Sequence, residues 1–173
     1  ESSNNKIKIL IVVAFYPPAF KGGGPIRSVH NLVEALGDEY DFTIITSDRD
    51  LGDNKPFENI KTDIFLEVGK AKVMYCSPRL SNSFFIARKL RSNPPDILFV
   101  NSFFGRWHSM LPLLFWKTGM VKAKNFLLAP RGEFSKGSLS VKPKRKKIYL
   151  NILGKSGFYR HVQWLLSTKF DAI

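Results

Sequence analysis

The sequence predicts an α/β domain in which a mostly parallel sheet carries helices on both faces. Two observations carry that expectation. Runs such as "KIKILIVVA" (Lys6 to Ala14) are nearly continuously apolar and β-branched, the pattern of a strand buried on both sides. Such runs alternate with segments whose apolar residues recur at helical spacing, which implies right-handed crossovers between parallel strands. The length of 173 residues suits one domain with a single sizeable core.

The elements follow in order. After the first strand, Ile26, Val29, Leu32, Val33 and Leu36 mark one face of a helix. Pro25 fits its first turn and Gly37 its C-cap. "DFTIITS" (Asp41 to Ser47) is the second strand, and turn residues fill Asp48 to Asn59. "DIFLEV" and "KVMYCS" suggest a weaker strand pair. "SFFIARKLRSN" has helical spacing, and "PPDILFVNS" is a proline-led strand. A helix is expected from Ser109 to Lys117, with Pro112 tolerable in its first turn, then a strand in "KNFLLAPRG". "SVKPKRKKIYLNILGK" reads as a basic amphipathic helix whose Ile148, Leu150, Ile152 and Leu153 can face a core; "HVQWLLST" closes as a strand. The sum is a Rossmann-like three-layer αβα domain. In such sheets ligands bind beyond the carboxyl ends of the strands, which directs attention to Phe15–Gly24, Asn101–Trp107 and Pro130–Ser138.

The chain has a formal charge of +13, unevenly placed. Residues 1–96 hold 13 Lys and Arg against 12 Asp and Glu, whereas residues 97–173 hold 14 against 2. The second half is therefore suited to an anionic partner: nucleic acid, an anionic membrane or a phosphorylated substrate. A solvated basic face is the plainer alternative. No apolar run approaches the roughly 18 residues of a membrane span. The single cysteine, Cys76, allows no internal disulfide and suits a reducing cytoplasm; His30, His108 and His161 are scattered, so no metal is expected.

Gly22, Gly23 and Gly24 separate the first strand from its helix. A dinucleotide fingerprint would need a third glycine where Arg27 stands and a tighter turn than "FYPPAFK" provides; only Asp48 would suit a ribose. An ATP loop would need Lys followed by Ser or Thr, which is lacking. What remains is a flexible backbone opening onto a helix N-terminus, where N–H groups and the helix dipole favour an anion, or a surface loop whose glycines permit positive φ.

Three ordered segments carry a resemblance. "KILIVVAFYPPAFKGGGPIRSVHNLVEALG", "DILFVNSFFGRW" and "LLAPRGEFSKGSLSVKPKRKKIYL" are similar to segments of retaining glycosyltransferases of family 4, and the likeness runs from about Lys6 to Ile173. It implies that residues 1–173 are the N-terminal, acceptor-side half of a GT-B fold. The donor-binding C-terminal domain, with its paired-glutamate motif, would lie outside this chain, so the isolated domain is expected to be inactive.

The resemblance gives residues roles. Gly22, Gly23 and Gly24, with Arg27 in the first helical turn, match the loop near the donor pyrophosphate and the acceptor. Asn101 and Ser102 match the end of the fourth strand, where many relatives have histidine. Arg131, Gly132 and Glu133 match a loop that more often reads Pro-His-Gly; they would bind an acceptor phosphate, or Arg131 and Glu133 would pair with each other. The implied activity is transfer of a sugar from a nucleotide-sugar to a saccharide or lipid-linked acceptor in cell-surface polysaccharide synthesis, without metal or cofactor. The basic run containing Lys144, Arg145, Lys146 and Lys147 would contact acceptor or anionic lipid at the cytoplasmic face of the plasma membrane, with Phe103, Phe104, Trp107 and Phe115 as anchors or core. The competing class is a basic binding module for nucleic acid or a nucleotide cofactor, and no nucleic-acid motif supports it.

Overall fold

The computed structural model describes residues 6–78, 94–140, 146, 148, 150–151 and 157–166. Its strands are β1 (Lys8–Val12), β2 (Asp41–Ser47), β3 (Phe65–Val68), β4 (Ala71–Cys76), β5 (Ile97–Val100), β6 (Asn125–Leu128) and β7 (Val162–Trp164). They form one sheet in the order β3-β4-β2-β1-β5-β6-β7. Every pairing is parallel except the β3–β4 hairpin. The chain is an α/β, Rossmann-like αβα domain.

Alternation along β1 divides the core in two. Ile11 and Val13, with Phe42, Ile44, Val73 and Phe99, meet Val29 and Val33 of α1 (Gly24–Leu36) on one face. Leu10 and Val12, with Ile45, Leu98, Phe126 and Leu128, meet Leu113 and Phe115 of α2 (Leu111–Lys117) on the other. Val29 and Val33 are completely buried, each worth about 2 kcal/mol of transfer free energy.

Gly37 stands at the C-cap of α1 but keeps a right-handed φ of −67°. Its glycine identity has another cause: a Cβ there would lie 2.4 Å from the Cβ of Lys70, in the β3–β4 hairpin. Close packing of the helix end on the hairpin requires the missing side chain, and Lys70 pairs with Asp38 beside it.

Three expectations are corrected. The helix expected from Ser109 begins at Arg106 with a π-helical turn (Arg106–Met110), in which Met110 N–H reaches back five residues to the Gly105 carbonyl at 2.9 Å. Pro112 follows in the first turn of α2; its ring crowds the carbonyl four residues earlier, and a wider preceding turn relieves that contact. Ile148 does not face the core, being 59% exposed, whereas Leu150 packs against the α2-side core. The closing strand is only Val162–Trp164, and Leu165 and Leu166 continue exposed. The "SFFIARKLRSN" helix, Ile152 and Leu153 lie outside the described residues. α3 (Lys136–Ser140) leads into the basic segment, within which Lys146, Ile148, Leu150 and Asn151 are helical.

β1 pairs with β2 on one side and β5 on the other. The connections leaving β1 and β5 run to opposite sides of the sheet, which opens a crevice at the carboxyl ends of these two strands.

Candidate functional site

The long β1–α1 loop is held by one acidic residue. The Asp50 carboxylate accepts the backbone N–H of Phe20 at 2.9 Å, of Lys21 at 3.2 Å and of Leu51 at 2.7 Å. Burial pushes its carboxyl up, but these N–H bonds outweigh burial and hold it below the usual carboxylate range. Tyr75 adds a second anchor, donating its hydroxyl to the Pro17 carbonyl at 2.5 Å. Asp48 is buried, and its carboxylate accepts from Arg49 Nε at 2.7 Å.

The three glycines differ. At Gly22 a Cβ would come within 3.0 Å of the Ile26 side-chain end and 3.1 Å of the Phe15 ring, a tight fit that those side chains would have to yield to. Gly23 is the N-cap of α1 with φ +70°, a left-handed conformation, and a Cβ there meets nothing within 4 Å. Gly24 has neither constraint. The first turn of α1 contains no acidic residue, and Arg27 points to solvent beside it.

The β5 and β6 ends are joined through side chains. Asn101, the residue after β5, donates from Nδ2 to the Pro25 carbonyl at 3.4 Å and accepts from Arg131 Nε at 2.5 Å. It therefore ties the start of α1, the end of β5 and the loop after β6 to one point. Arg131 (φ 54°) and Gly132 (φ 74°) are consecutive left-handed residues, which turn the chain back so that Glu133 enters the β5 loop. There its carboxylate accepts the hydroxyl of Ser102 at 2.9 Å and the N–H groups of Phe103 at 2.6 Å and Phe104 at 2.9 Å. Ser102 Oγ in turn accepts the Gly105 N–H at 3.1 Å. Glu133 is thus an internal tie for the β5 loop.

Gly22, Pro25, Asn101, Ser102, His108 and Glu133 all line one cavity of about 410 Å³ at the crevice. Gly23, Gly24 and Arg27 are exposed and do not line it, and Arg131 joins through Asn101. His108 has no ligand-like spacing in the sequence. It projects from the π-helical turn, and burial pushes its imidazole down to about 4, so it is neutral at physiological pH. A second cavity of about 260 Å³ adjoins on the α2 side of the sheet, and both are lined mostly by apolar atoms.

The basic segment is placed differently from a uniformly outward-facing surface. Lys146 turns inward, donating to the Ser138 carbonyl at 2.7 Å with its ammonium 4.6 Å from the centre of the Phe104 ring. Its charge is committed within the domain. Lys144, Arg145 and Lys147 lie outside the described residues. Phe103 and Phe115 are core residues; Phe103 stacks on Tyr159 and meets Phe134 edge-on. Trp107 is half-buried with the Arg106 guanidinium 4.9 Å from its ring centre.

Chemically, the crevice offers neutral amide, hydroxyl and imidazole groups, one carboxylate, and a helix N-terminus at its rim. Among the described residues, no group of three His, Cys, Asp or Glu side chains is placed to hold a metal ion. No helix among them is long and apolar enough to cross a membrane. These features define an α/β domain with a crevice at the topological switch point. Compared with family models, characterised proteins and solved structures, the chain gives no match.

Proposed function

We propose that this chain is the acceptor-side domain of a retaining glycosyltransferase that uses a nucleotide-sugar donor. One observation carries the reading: the loops after β1, β5 and β6, distant in sequence, converge through Asn101 on a single cavity at the switch point. A sugar hydroxyl is bound by neutral donors and acceptors of the kind Asn101, Ser102 and His108 supply. Gly22, Gly24 and the positive end of the α1 dipole would stabilise the negative charge of a departing pyrophosphate, while the Gly23 N–H is donated to the Phe20 carbonyl at 3.2 Å. Arg131 would add cationic charge from the β6 side, with Asn101 fixing its direction.

In this reading a second α/β domain holds the donor nucleotide. The work would be done at the cytoplasmic face of a membrane, where Lys144, Arg145 and Lys147 meet anionic lipid and Lys146 does not. Sedimentation with vesicles checks this last point, since binding that is equal for anionic and neutral lipid opposes it.

The transferase reading is tested by the coding sequence past Ile173. A second run of alternating strands and helices with a paired-glutamate motif supports it. A stop, or an unrelated continuation, removes its main support.

A further inference from the structure

The cavities of about 410 Å³ and 260 Å³ share a wall, since Val13, Ala14, Phe15 and His108 line both. Both are open at the surface and lined mostly by apolar atoms, so together they make one apolar crevice. The polar side chains along it are largely committed within the domain. Glu133 accepts from Ser102, Asn101 is engaged by Arg131 and the Pro25 carbonyl, and Thr46 donates to the Ala14 carbonyl at 3.3 Å. Ser47 Oγ accepts the Arg49 N–H at 3.2 Å. His108 differs from all of these: its imidazole makes no hydrogen bond to any described residue. Burial keeps it neutral, with a pKa of about 4, so one ring nitrogen is free to accept a hydrogen bond and the other to donate.

We propose that the crevice binds an aromatic molecule with a single hydroxyl, a phenol, which donates its O–H to the unprotonated nitrogen of His108. An apolar lining with one available polar group to fix orientation is the usual composition of a small-molecule site. Phe15, Trp107 and Phe115 line one part of the crevice and Phe104 the other, and aromatic rings favour edge-on or offset contact with an aromatic ligand. A polyol fits worse, because hydroxyls beyond the first would lose water and meet apolar atoms. The inference rests on the transferase reading only in calling the bound hydroxyl the one that receives the sugar. It narrows the ligand to an apolar body with one hydroxyl, and assigns the recognition of that hydroxyl to His108.

The test is titration of the full chain at neutral pH with 2-naphthol, naphthalene, 2-methoxynaphthalene and methyl β-D-glucoside, without any sugar donor. 2-Naphthol should bind about tenfold more tightly than naphthalene or the methyl ether, the difference that one hydrogen bond makes, and the glucoside more weakly than any of them. His108→Phe should bring 2-naphthol down to the affinity of naphthalene. His108→Gln, which keeps a carbonyl acceptor, should recover part of the preference. If His108→Phe melts too low to titrate, the methyl ether makes the same comparison on the parent chain, since it lacks the O–H. Equal affinities for 2-naphthol and its methyl ether, tighter binding of the glucoside, or an undiminished preference in folded His108→Phe would overturn the proposal. Because no donor is present, a failure here leaves sugar transfer standing, and a failure of transfer leaves phenol binding standing.

Discussion

Arg131 Nε donates to Asn101 Oδ1 at 2.5 Å, and the Asn101 amide reaches on to the Pro25 carbonyl at 3.4 Å. One 9% exposed side chain thereby connects three loops that enter the crevice from different strands. Asn101→Ala removes both bonds, one of them charge-assisted, and should cost about 2 kcal/mol in urea denaturation. Unchanged stability would mean that the three loops are held independently.

Arg131 separates backbone from side chain. Its φ of 54° costs a non-glycine residue about 1 kcal/mol. Arg131→Gly relieves that strain while deleting the guanidinium, so its stability should stay within about 1 kcal/mol of the parent. Arg131→Ala keeps the strain and loses the same bonds, and should be the less stable of the two by about 1 kcal/mol. Thermal denaturation of both variants checks the order.

Glu133 is predicted to act through the β5 loop. Glu133→Ala leaves the N–H groups of Phe103 and Phe104 without this acceptor and should destabilise by about 3 kcal/mol. Glu133→Gln keeps a carbonyl oxygen for them and an amide for Ser102, and should cost about 1 kcal/mol. Equal losses for the two variants in urea titrations would argue against the hydrogen-bonded tie.

Much of the fold is legible because burial imposes periodicity. β2 has the bounds its apolar run suggests, Asp41–Ser47, since turn residues enclose it on both sides. The loops to inspect follow from the strand order alone. The partners within them do not: Asp50 anchors Phe20 across 30 residues, and nothing local to either position marks the other. His108 was obscured because a helix starting at Ser109 leaves it in a loop, whereas the π-helical turn ahead of Pro112 turns it to the cavity. Lys146 shows a different gap. An amphipathic pattern separates apolar from charged residues, but it does not reveal that one cation folds inward over Phe104.

His108 predicts a pH dependence. Burial places its folded pKa at about 4, below the unfolded value of about 6.5. The unfolded chain therefore binds more protons between these values, and stability is full above about pH 6.5 and declines as pH falls toward 4. The decline attributable to this group is about 3 kcal/mol. His108→Gln should flatten that part of the stability profile in denaturant titrations at stepped pH. An unchanged slope would show that the imidazole is hydrated.

The glycine loop gives a graded series. Gly23→Ala should cost about 1 to 3 kcal/mol, because its φ of 70° and ψ of −133° lie where side-chain-bearing residues scarcely go, with no contact from neighbouring atoms. Gly24→Ala lies at the start of α1 without strain and should be neutral or stabilise by up to about 1 kcal/mol. Differential scanning calorimetry should show Gly23→Ala melting lower than Gly24→Ala.

The claim that the Asn101-centred crevice serves sugar transfer is tested most directly with the full-length polypeptide that carries this chain. Release of nucleoside diphosphate is followed with a panel of UDP- and GDP-sugars and a membrane extract as acceptor source. Arg131→Gly, chosen because its folding should survive, is compared with the parent. The account predicts acceptor-dependent release from one donor and at least a tenfold loss in the variant. No release from any donor, or undiminished turnover in a folded Arg131→Gly protein, would contradict it.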